Sequence, residues 1–347
     1  MELIRAAEIL IDRIRRDYKD DIALVVLLGS YIYNDTHSRS DLDMFYVPNT
    51  DRGRDLSITF IVDGIGFDYW AISWERLERI AAFEERSTSI ITEGRVIYYS
   101  LENDLKRFLA LKTKALDTSD RRSFVDKAGK RLDEAYKHYW SLLGAKNLSD
   151  ARISCIGILD KITFALALLN RITVKRGGRR LKQEILDMPL VPDDFSTLFE
   201  TVFRSCDIPG LREVYGQLLE NTAALISRER ETLGPAFTFA SRLGGLYEEL
   251  INFYNKIYHA CETQDPHTAL TTSVMLTNEI LEAFDGTGVS PAALPDIVGA
   301  FDPEHLERLT ATAKEHQARF VRTLKENDVP IRDFASFDEL ERYIGAL

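Results

Sequence analysis

Apolar residues recur at helical spacing from the start of the chain, at Leu3, Ile4, Ala7, Leu10, Ile11 and Ile14. They predict a first helix over Glu2 to Tyr18, packed on one face and ended by Lys19-Asp20-Asp21. The pattern then shortens. Leu24-Val25-Val26-Leu27-Leu28 is an apolar run of strand length, closed by the small pair Gly29-Ser30, and Met44-Phe45-Tyr46-Val47 follows after a polar loop. Leu56 to Val62 and Phe67 to Ile72 flank Asp63-Gly64-Ile65-Gly66, a hairpin signal. Ser73 is placed to cap a helix from Trp74 to about Phe83. A short helix and a strand, Arg95 to Tyr99, complete a small mixed sheet.

After Glu102 the strand signals stop. Helices are predicted over Leu101 to Leu116, over Arg121 to Leu143 with Tyr136 and Tyr139 on its buried side, and over Asp150 to Arg171 behind a cap at Asn147-Leu148-Ser149. The middle of the last is apolar nearly all round, which places it centrally in a bundle. Further helices start at Lys182, Phe195 and Gly210. Others run over Phe239 to Glu262, Thr268 to Phe284 and Pro303 to Glu326, interrupted by a Gly- and Pro-containing segment from Gly286 to Pro295. The fold class is therefore α+β, a small N-terminal mixed sheet with flanking helices followed by all-α bundles. Domains are expected at 1–118, 119–235 and 236–347.

Composition narrows the functional classes. A chain of 347 residues, 45% hydrophobic and 10% aromatic, suits packed globular domains. Its net charge of −11 argues against a general nucleic-acid binder, since such proteins carry a basic face. The three cysteines, Cys155, Cys206 and Cys261, supply neither a disulfide framework nor zinc spacing. His259, Cys261 and His267 fall short of a structural zinc set. The charged amphipathic N-terminus is no signal peptide, and no apolar run reaches spanning length. A cytoplasmic protein without a membrane partner is expected.

The chemistry concentrates between Leu24 and Val47. Residues two apart along an extended chain share a face, so Asp41 and Asp43 present paired carboxylates while Leu42 turns inward. Adjacent carboxylates repel unless a cation sits between them, and hard oxygen donors suit Mg²⁺. A Gly-Ser turn opposite them offers N–H groups and a hydroxyl to phosphate oxygens. Asp68, near the start of a later strand, is a third carboxylate. Lys175-Arg176-Gly177-Gly178-Arg179-Arg180 reads as a solvated basic turn, with contact to a triphosphate as the alternative.

With Gly29-Ser30 and Asp41-Leu42-Asp43 in place, the first third of the chain resembles the DNA polymerase β-like nucleotidyltransferase superfamily. Its signature is a hydrophobic strand, Gly-Ser, a loop of about ten residues, Asp-x-Asp/Glu and a later acid on a neighbouring strand. A second resemblance, to the helical C-terminal domain of kanamycin nucleotidyltransferase and to HEPN domains, rests on Phe164 to Val174, the basic turn, Glu184-Ile185-Leu186, and an acid and lysine one turn apart at Asp133 and Lys137.

These resemblances imply in-line attack of an acceptor hydroxyl on the α-phosphorus of a nucleoside triphosphate, ATP in the first instance. They imply two Mg²⁺ ions on Asp41, Asp43 and Asp68, with Gly29, Ser30, Ser38 and Arg39 about the phosphates. Asp133 is the implied base, with Glu134 in reserve, and Lys137 a phosphate contact. The acceptor is a small hydroxyl-bearing molecule such as an aminoglycoside-like antibiotic, and a homodimer is an open expectation. The alternatives are a HEPN-type toxin–antitoxin protein acting on protein or RNA, with Arg131 and His138 as its ribonuclease pair, and a catalytically silent binding module using Tyr136, Tyr139 and Trp140.

Overall fold

A computed structural model of the protein describes residues 3–176 and 178–346. Glu2 of the first predicted helix, Gly177 of the basic turn and the side chain of Arg179 lie outside the described residues. The chain is α+β, as the hydrophobic pattern predicts. Helix α1 (Ile4–Asp17) precedes β1 (Ile22–Leu27), β2 (Met44–Pro48), β3 (Ile58–Val62) and β4 (Ile65–Ala71). Then come α2 (Trp74–Ala81), α3 (Ser89–Thr92), β5 (Arg95–Tyr99) and α4 (Glu102–Leu116). The long helices α5 (Arg121–Gly144) and α6 (Leu148–Leu169) are followed by α7 (Leu181–Leu186), α8 (Phe195–Arg204) and α9 (Ile208–Glu231). The remaining helices are α10 (Phe239–Leu243), α11 (Leu246–Glu262), α12 (Pro266–Phe284), α13 (Leu306–Glu326) and α14 (Phe337–Ile344). Two compact units result, Met1–Thr232 and Leu233–Leu347.

In the first unit the five strands run in the order β3-β4-β2-β1-β5. All neighbours are antiparallel except β2 and β4, which are parallel with Phe45 opposite Trp70 and Tyr46 opposite Ala71. Helix α1 buries Ala7, Leu10 and Ile14 against Val25, Leu27, Met44, Tyr46, Phe67 and Tyr69 on one face. Helices α2, α3 and α4 cover Leu24, Val26, Phe45, Val47 and Ile72 on the other. A register shift between Ile22 and Leu24 lets Ala23 and Leu24, adjacent in sequence, serve the same core. The Tyr69 hydroxyl donates to the Ala6 carbonyl at 2.8 Å, tying β4 to α1.

Beyond the sheet, the second half of α6, Ile162 to Leu169, is buried all round, whereas Ile153 and Ile156 in its first half are exposed; the helix packs on α5, α8 and α9. Asn147 caps it, accepting from the Asp150 N–H at 2.9 Å. In the second unit the helix predicted over Phe239 to Glu262 is broken into α10 and α11. Gly245 stands at the break with φ +84°, a conformation a helix interior cannot contain. Helix α14, which the periodicity did not announce, starts where the Ser336 side chain accepts from the Glu339 N–H at 3.3 Å.

Candidate active site

The end of β1 and the start of β2 are held together at Leu28, whose N–H donates to the Asp43 carbonyl at 3.0 Å. The next residue, Gly29, has φ +71° and opens a single 3-10 turn, Gly29–Tyr33. A β-carbon there would fall 2.5 Å from Cγ of Asp43, so the backbone approaches that carboxylate as only glycine allows. The Ser30 N–H donates to the same carboxylate. The loop then closes on itself. Asn34 takes φ 54°, the Asp35 N–H donates to the Ser30 carbonyl at 3.1 Å, and the His37 N–H donates to the buried Ser40 hydroxyl at 2.9 Å.

Asp41 and Asp43 lie in the extended segment just before β2, not within it, and Leu42 between them is 1% exposed. Both carboxylates therefore share the side opposite Leu42. Read back two residues from Phe45 and Trp70, the parallel register sets Asp68 of β4 beside Asp43. Burial pushes the Asp43 carboxyl above the ordinary carboxylate range, and the negative charges of Asp41 and Asp68 push it further. The Ser30 N–H pulls the other way. The three carboxylates thus feel one another, although among the described residues no three His, Cys, Asp or Glu side chains are gathered closely enough to form a ready metal cage.

Gly29, Ser30, Asp41 and Asp43 line one side of a cleft of about 680 Å³, and His37, Arg39 and Ser40 extend it along the loop. The opposite wall is the basic turn, through Lys175, Arg176 and Arg180. That turn was expected in solvent; the fold draws it over the cleft because Asp35 pairs with both Arg176 and Arg180, the latter at 3.1 Å. The Arg176 guanidinium lies 4.6 Å from the centre of the Tyr33 ring, and the Lys175 ammonium lies 3.0 Å from Glu93. Glu184 accepts from the backbone N–H groups of Lys175 and Arg176 at 3.0 and 2.6 Å. The Tyr33 phenol is pushed up to about 12 by burial and by the charge of Glu93. The signal that could have found this wall is the density of cations in one turn of a chain whose net charge is −11.

Other expected site residues stand elsewhere. Ser38 is exposed and does not line the cleft, and Asp68 lies outside its lining. Asp133 and Lys137 are exposed on α5 and take no part in its walls. Glu134 is engaged with Lys161 at 3.1 Å and with Arg131. Burial pushes its carboxyl up, but these two cations outweigh that and hold it below the usual range. Arg131 also donates to the Glu84 carbonyl at 2.6 Å, while His138 sits where a β-carbon on Gly157 would be 2.5 Å from its Nδ1. Tyr136 and Trp140 do not fill a core, being 43% and 78% exposed; Tyr139 does turn inward, donating to the Arg212 carbonyl at 3.2 Å.

No family model matches the chain, and no curated protein matches it. Among solved structures, a nucleotidyltransferase-like protein from Exiguobacterium sibiricum 255-15 aligns over 64% of this chain and 75% of its own. The identity is 12% and the TM-score 0.35, a likeness too remote to assign residues. Among the described residues, no helix is long and apolar enough to cross a membrane.

Proposed function

We propose that the Met1–Thr232 unit is a nucleotidyltransferase that moves a nucleoside monophosphate, AMP from ATP in the first instance, to a hydroxyl of a small acceptor. The observation that carries this reading is the seating of the Asp43 carboxylate against Gly29 and the Ser30 N–H, with Asp41 beside it and Asp68 in register. Asp41 and Asp43 in one wall of a cleft whose other wall is cationic, with Asp68 in register beside Asp43, suit a polyanion bridged by divalent cations.

The donor set is all oxygen, which fits Mg²⁺, and the Asp43 carboxyl is raised first by burial and then by the charges of Asp41 and Asp68. Asp41, Asp43 and Asp68 would hold such ions, two in this reading. When bound, they supply charge neutralisation on the leaving pyrophosphate and a lowered pKa for the attacking hydroxyl. The chain's own residues do the rest. The Ser30 hydroxyl, at the turn, receives the terminal phosphates, and Arg39, Lys175, Arg176 and Arg180 offset their charge. The acceptor oxygen attacks the α-phosphorus, the bond to the bridging oxygen of the β-phosphate breaks, and pyrophosphate leaves as the hydroxyl proton passes to solvent or a base. An aminoglycoside-like antibiotic is a suitable acceptor, because it offers hydroxyls on cationic rings that suit a chain of net charge −11.

The test is pyrophosphate release from each nucleoside triphosphate with Mg²⁺ and a panel of hydroxyl acceptors that includes aminoglycosides. Release that disappears in Asp43→Asn supports the reading. Release that survives that change, or no release with any nucleotide and acceptor, rules it out.

A further inference from the structure

The Leu233–Leu347 unit holds a cavity of its own, about 340 Å³, at the segment that interrupts the helical pattern. Ile280 and Leu281 of α12 form one wall, and Leu294 and Ile297 form another. The Ser290 hydroxyl caps the turn Pro291–Ala293 by accepting from the Ala292 N–H at 3.2 Å, which holds this stretch as a defined wall. The floor is buried: Ile280 is 2% exposed, Ile297 1% and His316 of α13 4%. Leu281, at 50%, stands at the rim.

His316 is the unusual member. Its Nδ1 lies 2.7 Å from the Tyr254 hydroxyl, and both residues are buried. That hydroxyl makes no other hydrogen bond among the described residues, so its proton goes to Nδ1 and the ring proton resides on Nε2. Nε2 in turn has no partner among the described residues, yet it is not one of the polar atoms sealed from solvent without one. His316 is among the residues that line the cavity, and Nε2 is the ring nitrogen it has left to offer a ligand there. The surrounding polar groups are satisfied: Gln317 accepts from the Tyr258 hydroxyl at 2.6 Å and donates to that of Tyr247 at 2.8 Å. Burial holds the imidazole neutral by pushing it down to about 4.

We propose that this cavity binds a small neutral ring compound bearing one hydrogen-bond-accepting oxygen, its ring between Ile280, Leu281, Leu294 and Ile297 and its oxygen on Nε2–H of His316. The volume is at the low end of the ~300–1,000 Å³ typical of ligand pockets, which limits the occupant to one or two rings. No Lys or Arg lines the cavity, and the one carboxylate that does, Asp296, disfavours an anion.

Acetophenone and isopropylbenzene, nearly the same shape with and without the oxygen, test the inference by ligand-observed NMR on the full chain. Acetophenone is expected to bind saturably and about tenfold tighter than isopropylbenzene, the difference one hydrogen bond to a buried donor makes. Leu281→Trp, a change at an exposed position, is expected to fill the mouth and abolish binding of both while leaving the fold intact by circular dichroism. His316→Phe is expected to erase the preference between the two. Absence of saturable binding, equal affinity for the two probes, or binding that persists in Leu281→Trp would each overturn the proposal. None of these outcomes bears on nucleotidyl transfer, which is read from pyrophosphate.

Discussion

Gly29 and Asp43 occupy one another's space: the carboxylate of Asp43 sits where a β-carbon of residue 29 would be, with Cγ 2.5 Å from that point. The left-handed turn at Gly29 and the placement of Asp43 are therefore one structural fact, and changing either residue changes both.

Gly29→Ala should be severe on two counts. A residue with a β-carbon held at φ +71° costs about 1–2 kcal/mol, and the methyl must also displace the carboxylate. Pyrophosphate release should fall by about 10- to 100-fold, the range seen when a metal site loses its orientation, with a lower melting temperature. The double variant Gly29→Ala/Asp43→Ala should melt higher than the sum of the single changes predicts, because the contacts with Oδ2 and Cγ are gone and only that with Cβ of residue 43, at 2.7 Å, remains. Strict additivity in thermal melts would show that the two residues do not compete for space.

Asp43→Asn should separate stability from activity. The native carboxylate is half-buried and faces the like charges of Asp41 and Asp68. Its neutral isostere keeps an oxygen for the Ser30 N–H and removes the repulsion. Differential scanning calorimetry without divalent cations should show a higher melting temperature for the variant even as transfer is lost, a trade expected of charge concentrated for function. A lower melting temperature would contradict this account of the site's electrostatics.

The basic wall should act on nucleotide affinity. Arg176→Ala and Arg180→Ala should each raise KM for the triphosphate by about 10- to 100-fold, the range spanned by a hydrogen bond to a charged group. Transfer kinetics across a nucleotide titration check this, and an unchanged KM in both variants would return the turn to the solvated role its sequence first suggested.

His316 gives the second unit an acid-sensitive core. Its neutral form is favoured when folded, with the imidazole near 4 against 6.5 for the free group. The unfolded chain takes up the proton first, so the stabilisation is fully present above pH 6.5 and is lost as the pH falls towards 4, amounting to at most about 3 kcal/mol. Around it stand Tyr254 from α11, the Asp296 carboxylate of the same cavity and, on α13 itself, Arg319, which donates to the Ala293 carbonyl at 3.0 Å. Urea melts between pH 7 and pH 4.5 should show this decline flattened in His316→Phe, with a lower starting stability.

Much of the sheet could be read from the sequence because its causes are local. The alternation across Asp41, Leu42 and Asp43 and the strand period that turns Asp68 away from Phe67 and Tyr69 depend only on neighbours. The Gly-Ser turn belongs with them. The cationic wall could not be read the same way, since the Asp35–Arg180 contact joins positions 145 residues apart. Helical spacing puts Asp133 and Lys137 on one face of α5 but does not say what that face looks at. The same gap explains Tyr136 and Trp140: their spacing from Leu132 and Ala135 fits a broad apolar stripe, whereas packing on α6 and α9 uses only part of it.

The parallel pairing of β2 with β4 also makes the acidic site a report on strand alignment. A slip of one residue would swing Asp68 to the α1 side and bring an aromatic ring beside Asp43. Phe67 and Tyr69, 4% and 7% exposed, would lose their core, and the Tyr69 hydroxyl its acceptor on Ala6. The fidelity of the charged cluster is thus guarded from the far side of the sheet, by residues that never meet a nucleotide.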